Sequence, residues 1–465
     1  MRARIPVTVA SMVVLTAAGL TLPLGGFASA ASTLKDDFNG DGYHDVVIGT
    51  PKANAVTVTF GSSSGVSPSR SVTITQDTSG VPGVTEAEDE FGENATSGDV
   101  NSDGFADLIV GAPGERVTGK PDGSVTIVWG GPNGFRTGGT VLNAPSAEDV
   151  RFGEGASFVD LDGDEHPNLV VVSSNRFWWY ADGVPSNAIA PEVDFLPAGI
   201  RLEGVLGGHF SSTDGSDYAL YGTSITGRSY VGHLKGGSGD IGFNYRALQQ
   251  SSTGTGIDEA SVASADLDKN GYADLVVGDP AATNAGQVTV WPGNPYGLGD
   301  EDSPSVTYDQ SSAGVPGEAE PGDRFGASVA ADDVTGDGYP EVAVGVPGET
   351  VGAVSQTGNV VLLKGSSTSL GGGASWHQAT SGVPGTPESG DHFGSAVRIK
   401  DINGNGRADL AVSATGEDIG TTTDAGAVWV LRGASTGLTT SSVTSFNGSA
   451  VGVNGAGREF GTLLR

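Results

Sequence analysis

The chain has no cysteine in its 465 residues. That absence excludes disulfide staples, thiolate metal sites and a thiol-linked lipid anchor. Positive charge is scarce: 23 Lys and Arg stand against 55 Asp and Glu, for a formal charge of −32. Nucleic acids and anionic membrane surfaces are met with basic patches, so neither is an expected partner. Bound cations that relieve carboxylate repulsion are favoured instead. Long apolar runs are missing too, with one exception. Residues 5–24 are apolar, follow Arg2 and Arg4, and precede Ala28-Ser29-Ala30. This is the order of a secretory signal cleaved before Ala31. A membrane anchor is the competing reading, but Gly19, Pro23, Gly25 and Gly26 interrupt the run and small residues end it. The expectation is a signal peptide over 1–30 and one folded unit over 31–465, secreted and not inserted in a membrane. Losing Arg2 and Arg4 with no acid moves the charge from −32 to −34.

What the chain has in abundance is glycine, 76 residues, and repetition. An acidic turn followed by a short apolar strand recurs as DFNGDGYHDVVIG (37–49), DVNSDGFADLIVG (99–111) and DLDGDEHPNLVVVS (160–173). It returns as DLDKNGYADLVVG (266–278), DVTGDGYPEVAVG (333–345) and DINGNGRADLAVS (401–413), with a worn copy at 209–222. A second β-branched and aromatic strand follows each, as in GSVTIVWG (123–130) and GAVWVLRG (426–433). Alternation bounded by Gly indicates strands. Phe-Gly pairs at Phe91-Gly92, Phe152-Gly153, Phe325-Gly326 and Phe393-Gly394 close most units. Seven units of about four strands cannot bury their faces alone. They are expected to stack around an axis as an all-β, seven-bladed propeller of four-stranded antiparallel blades. The first unit lacks a Phe-Gly strand before its acidic turn, and residues 458–464 supply one with no turn after it. The C-terminal strand is therefore expected to complete the first blade and close the ring.

The acidic turns place oxygen side chains at positions 1, 3, 5 and 9, with a main-chain carbonyl available at position 7 and Gly at position 6 for the sharp turn. Hard oxygens in this pattern suit Ca²⁺, and the absence of His and Cys disfavours Zn²⁺ and copper. The expected ligands in the first turn are Asp37, Asn39, Asp41, Tyr43 and Asp45. In the second they are Asp99, Asn101, Asp103, Phe105 and Asp107, and in the fifth Asp266, Asp268, Asn270, Tyr272 and Asp274. The sixth offers Asp333, Thr335, Asp337, Tyr339 and Glu341, and the seventh Asp401, Asn403, Asn405, Arg407 and Asp409. A further turn with Asp160, Asp162, Asp164 and Asn168 has Glu165 where the glycine belongs, and the turn at 209–217 has lost its ligands. About five calcium sites follow, with the turn at Asp160, Asp162 and Asp164 a doubtful sixth and none in the fourth blade.

These residues resemble the FG-GAP repeat over the whole stretch from 36 to 465. The Phe-Gly pairs, Gly111-Ala112-Pro113 and Gly345-Val346-Pro347 match its name-giving motifs, and the acidic turns sit between them. The resemblance is to the N-terminal propeller of integrin alpha chains and to secreted bacterial proteins. It implies Ca²⁺ between the first two strands of a blade and ligand recognition on the opposite face. There lie loops such as 76–90, 111–123, 311–323, 345–358, 379–391 and 413–426.

Catalytic signatures are weak. Two G-x-S-x-G strings, 61–65 and 433–437, fall at a repeated turn without the strand–turn–helix setting of a nucleophile elbow. The six His are scattered among the units. The run Phe177-Trp178-Trp179-Tyr180 either stacks on sugar rings or is buried between blades, since strand side chains alternate in direction. The sequence thus points to a monomeric, calcium-binding module that recognises an extracellular protein or glycan, and not to an enzyme. The alternative is a secreted hydrolase or lyase acting on polysaccharide or phosphoester at the propeller mouth.

Overall fold

The computed structural model describes residues 34–465 apart from 118–119, 122, 147, 162, 182–187, 190–198, 214, 225–228, 237–243, 251–260 and 369. The expected signal segment over 1–30 and Asp162 lie outside the described residues.

Seven four-stranded antiparallel sheets form the ring. Blade two runs Asn94–Gly98, Asp107–Ala112, Ser124–Gly131 and Gly134–Asn143, and the other blades repeat this order of four. First strands of neighbouring blades lie against one another around the axis. Blade one takes Val46–Thr50, Ala55–Thr59 and Ser71–Ile74 from the start of the chain and Leu463–Leu464 from its end. Leu463 pairs with Gly49 and Leu464 with Ile48, so the C-terminal strand closes the ring as expected.

Alternation in each strand distributes side chains to two neighbours. In the second strand of blade two, Leu108, Val110 and Ala112 enter the core shared with blade one, while Ile109 enters the core shared with blade three. Seven apolar clusters result, one between each pair of adjacent blades. The aromatic run of blade three obeys the same rule. Trp178 and Tyr180 face blade two, whereas Phe177 and Trp179 face blade four. Both tryptophans are only 7% exposed, so the buried alternative is the one the structure adopts.

The Phe-Gly and Gly-Ala-Pro motifs are packing devices. Phe91, Phe152, Phe325, Phe393 and Phe460 are all fully buried. Behind each phenylalanine, backbone meets backbone across the blade boundary. A Cβ on Gly111 would stand 2.1 Å from the carbonyl oxygen of Gly153, and one on Gly345 2.0 Å from that of Gly394. No side chain fits there, which is why both motifs require glycine.

A buried ion pair ties the ring at its seam. Lys400 of blade seven donates to Asp36 Oδ2 at 2.7 Å and to the Asp45 carbonyl at 3.0 Å. Ser97 of blade two donates to the other Asp36 oxygen. Burial opposes ionisation of Asp36, but Lys400 and Arg398 outweigh it and hold the carboxyl well below its usual range. One aspartate thereby joins blades seven, one and two.

Candidate functional site

Antiparallel order puts all seven turns between first and second strands on one rim. In blade one the Asp37 carboxylate organises that turn. Its Oδ1 accepts the N–H of Gly40 (2.7 Å) and Asp41 (3.1 Å), and its Oδ2 accepts that of Gly42 (2.8 Å). Asp41 Oδ1 accepts the Tyr43 amide at 3.1 Å. The pattern repeats at Asp99 with Asp103 and Gly104, at Asp266 with Asn270 and Gly271, at Asp333 with Gly336 and Gly338, and at Asp401 with Asn405 and Gly406. Position 6 is left-handed in every copy, with φ from 78° at Gly406 to 91° at Gly271. Blade three keeps the same wrap around Asp160, with Glu165 forced to φ 69° in the glycine's place.

The ninth residue is a clamp as well as a candidate ligand. Asp45 accepts the amides of Phe38 (3.0 Å) and Gly61 (2.9 Å), joining its own turn to the end of the third strand. Asp107 does the same with Val100 and Gly130, and Asp274 with Leu267 and Gly293. Glu341 accepts from Val334 and Thr335. Asp409 accepts from Gly433, and from the Asn403 side chain at 2.6 Å. Each carboxylate oxygen has a second lone pair, so these bonds leave room for an ion. Burial, followed by the acids of the same turn, pushes Asp45 up to about 8 and Asp107, Asp274 and Glu341 to about 7. Burial likewise takes Asp409 to about 6. Without a countercharge, ionisation of these carboxyls is disfavoured.

The donor set fits a hard cation. Asp266, Asp268 and Asp274 bring one oxygen each within 4.8 Å of one another. That span matches oxygens around one ion at about 2.3–2.6 Å. Among the described residues this is the one acid group already so close. Elsewhere basic side chains reach the turns. Arg136 contacts Asp103 at 2.8 Å, Arg70 contacts Asp41 at 3.4 Å, and Lys269 donates to the Asp337 carbonyl while lying over the Tyr339 ring.

Blade four meets its clamp acid with a side chain of its own. Its clamp Asp217 is fully buried, with His233 Nε2 3.4 Å away. Burial alone would raise the Asp217 pKa, but hydrogen bonds from His233 and Ser211 bring it below the usual range. The imidazole meets Asp217 Oδ2, the oxygen that in blade five accepts the Leu267 amide.

On the opposite rim the structure assembles a constellation that the sequence reading did not isolate. Gln76, at the end of blade one, donates its amide N–H to Glu115 of blade two at 2.5 Å. Asp89 caps the same loop by accepting the Glu86 amide. Residues with the same spacing repeat this at the boundary of blades five and six, where Gln310 donates to Glu349 (2.6 Å) and Asp323 accepts from Glu320. A third copy joins blades six and seven through Gln378 and Glu417 (2.5 Å), with Asp391 and Glu388. The signal was present: from each Gln, acids follow at +10, +13 and +39.

The axis holds a cavity of about 300 Å³, reached by residues of all seven inner strands. Its charged lining includes Lys35, Asp36, His44, Asp332, Arg398 and Lys400. Burial raises Asp332, partly offset by Arg398 and His44. The two G-x-S-x-G strings lie at outer turns, away from this cavity.

Fold and rim together define a propeller whose blades open with acidic, cation-sized turns. Residues 29–65, 91–128, 260–291, 325–363 and 393–431 match the FG-GAP repeat, so the seven-bladed propeller carries FG-GAP repeats. Those segments fall on blades one, two, five, six and seven. Phosphatidylinositol-glycan-specific phospholipase D of Mus musculus is 32% identical over 157 residues, 33% of this chain and 18% of the relative. The Bos taurus protein of that name is 36% identical over 111 residues, 23% of this chain and 13% of the relative. Integrin alpha-7 of Homo sapiens is 31% identical over 194 residues, 38% of this chain and 15% of the relative. The chain thus spans less than a fifth of the length of these curated relatives. Among solved structures, a lectin of Agrocybe aegerita described as recognising non-reducing terminal N-acetylglucosamine aligns with TM-score 0.49 and 13% identity. That alignment covers 90% of this chain and 94% of the lectin. No helix among the described residues is long and apolar enough to cross a membrane.

Proposed function

We propose that this protein is a secreted recognition module, stabilised by Ca²⁺ along one rim and binding an extracellular protein or glycan with the other. The observation that carries this reading is the fivefold repetition of one oxygen-lined turn with a buried, cation-hungry clamp acid. Five ions there would fix the ends of first and second strands, and hence the loops at the far ends of the same strands. Rigid scaffolds with variable far loops are the usual platform for recognition. The ions are structural in this reading, since extracellular modules function with Kd ~10⁻⁴–10⁻³ M.

The alternative reading, hydrolysis at the propeller mouth, has the axial cavity in its favour. Asp332, His44 and Arg398 converge there, and acid–base chemistry uses such groups. The binding reading is preferred because the long loops lie on the opposite rim, and because the hydroxyl–carboxylate pair at the cavity, Ser97 with Asp36, has a carboxylate that Lys400 and Arg398 hold ionised and so make a weak base.

Glycan and protein arrays probed with the chain from residue 31, in 2 mM Ca²⁺ and in EDTA, test both. The expected result is a small set of hits that weaken at least tenfold in EDTA. Array spots that are consumed over time would shift the reading to catalysis, and hits indifferent to EDTA would sever recognition from the calcium rim.

A further inference from the structure

The three Gln–Glu–Asp–Glu constellations lie on the rim opposite the acidic turns and are independent of whether those turns hold calcium. In each, three carboxylates gather at a blade boundary. Glu115 is raised by burial and further by Asp89 and Glu86; Glu349 by burial, Asp323 and Glu320; and Glu417, to about 7, by burial, Asp391 and Glu388. Acid clusters alone are common on protein surfaces. A second feature sets these apart. Gln76, Gln310 and Gln378 are each 3% exposed. Each docks its amide on the cluster's glutamate, yet in all three the amide oxygen has no hydrogen-bond donor. A buried acceptor without a donor is destabilising, and here the same cost recurs at three boundaries. It is the mark of a missing electropositive partner.

The boundary of blades two and three indicates what that partner is. Asp149 closes the corresponding loop, accepting the Ser146 amide at 2.9 Å as Asp89 accepts that of Glu86. There the guanidinium of Arg176 lies 3.3 Å from Asp149 and 3.2 Å from Glu148. A fixed positive charge therefore occupies that place; beside the first cluster Arg116 reaches Glu88 in the same way, and the two boundaries on either side of blade six leave it to carboxylates and an amide oxygen.

We propose that the three Gln–Glu–Asp–Glu clusters are a second set of cation sites, each taking one hard divalent ion such as Ca²⁺ between neighbouring blades. Carboxylate and amide oxygens are the donors that such ions prefer, and oxygen and nitrogen of an amide exchange places by a simple turn of the group. An ion at these positions crosslinks the end of one blade to the second and third strands of the next. It also sits among the very loops of the recognition face.

Trp429 supplies a local probe, because a Cβ on Gly385 would lie 3.4 Å from Gln378 Nε2 and 3.7 Å from the Trp429 ring. Tb³⁺ titrated into the calcium-free chain and excited through tryptophan should give emission displaced by Ca²⁺. Asp391→Asn with Glu417→Gln should remove most of the Trp429-dependent part and one ion from the stoichiometry. Trp429→Phe should remove the same emission with no ion lost. Asp103→Ala with Asp337→Ala, which strikes two acidic turns on the other rim, should lower the stoichiometry yet leave the Trp429 signal in place. Asp323→Asn with Glu349→Gln repeats the stoichiometry test on an independent copy, should the first pair fail to fold. Wild-type ion counts in both cluster variants would overturn the proposal. So would a Trp429 signal that disappears only with the acidic-turn variant, or clusters that take up protons but no ion.

Discussion

Blade four and its neighbour blade five solve one electrostatic problem in two ways. Both bury a clamp aspartate at the start of the second strand, Asp217 and Asp274. Blade four meets it with the His233 side chain, built into its third strand. Blade five surrounds it with Asp266 and Asp268 instead, adding negative charge that only an external cation can balance. The difference teaches that the acidic turn is not needed to fold a blade. Under the proposed calcium binding, the turn makes that blade's rim conditional on an ion, whereas a side-chain partner makes it unconditional.

Chelation should break the two arcs apart most visibly. At 1 mM Ca²⁺ and Kd ~10⁻⁴–10⁻³ M, each occupied turn contributes about 0.4–1.4 kcal/mol. Five together should move Tm by several degrees on addition of EDTA. Hydrogen exchange should then quicken at the amides of Gly42, Gly271 and Gly338, but not at Gly236 of blade four. The pH profile carries a sign. The clamp carboxyls are raised in the folded chain, so the calcium-free protein binds more protons folded than unfolded. Its Tm should fall as pH rises from 5 to 8, and saturating Ca²⁺ should abolish that fall. A Tm indifferent to EDTA at pH 8 would refute ion binding in the turns.

His233→Leu attacks the other arc. Removing the partner of a buried carboxylate should cost about 3 kcal/mol in urea unfolding, and calcium should not restore it. Rescue by calcium would mean that blade four binds an ion after all. The smallest effect is expected from Arg136→Gln. Its exposed contact with Asp103 contributes at most about 1 kcal/mol to stability. Freed of that competitor, the turn of blade two should bind Ca²⁺ a few-fold more tightly by calorimetry.

The architecture was readable because its determinants are local and repeated. Position 6 of each turn needs a left-handed backbone, and Gly42, Gly104, Gly271, Gly338 and Gly406 supply it. The Phe-Gly pair at 460–461 was legible as a closing strand because a matching unit was missing at the start. What escaped were partners remote in sequence. Asp36 and Lys400 are 364 positions apart, and although both stand just before an acidic turn, the residue there changes from unit to unit: Gly98, Val159, Ala265 and Asp332 in the others. Gln76 and Glu115 lie in different repeat units, so comparing unit with unit separates them, although their 39-residue offset recurs. His233 could not be recognised as the partner of Asp217 because only folding places the third strand beside the worn turn. Glu165 at φ 69° shows the converse, a turn that keeps its path despite losing its glycine.

The pairing of Leu463–Leu464 with Val46–Thr50 has a consequence for how the molecule is made. The two segments are separated by more than 400 residues, and bringing them together carries a length-dependent closure entropy of about 5 kcal/mol. On the ribosome, the edge at Ile48 and Gly49 has no mate until translation reaches the last two leucines. Blades two to seven can assemble behind it in order, each against the one just finished. The nascent first blade must wait with an open strand edge, the kind of surface that recruits neighbouring chains. Covering that edge until Leu463 and Leu464 arrive should therefore raise the yield of closed rings.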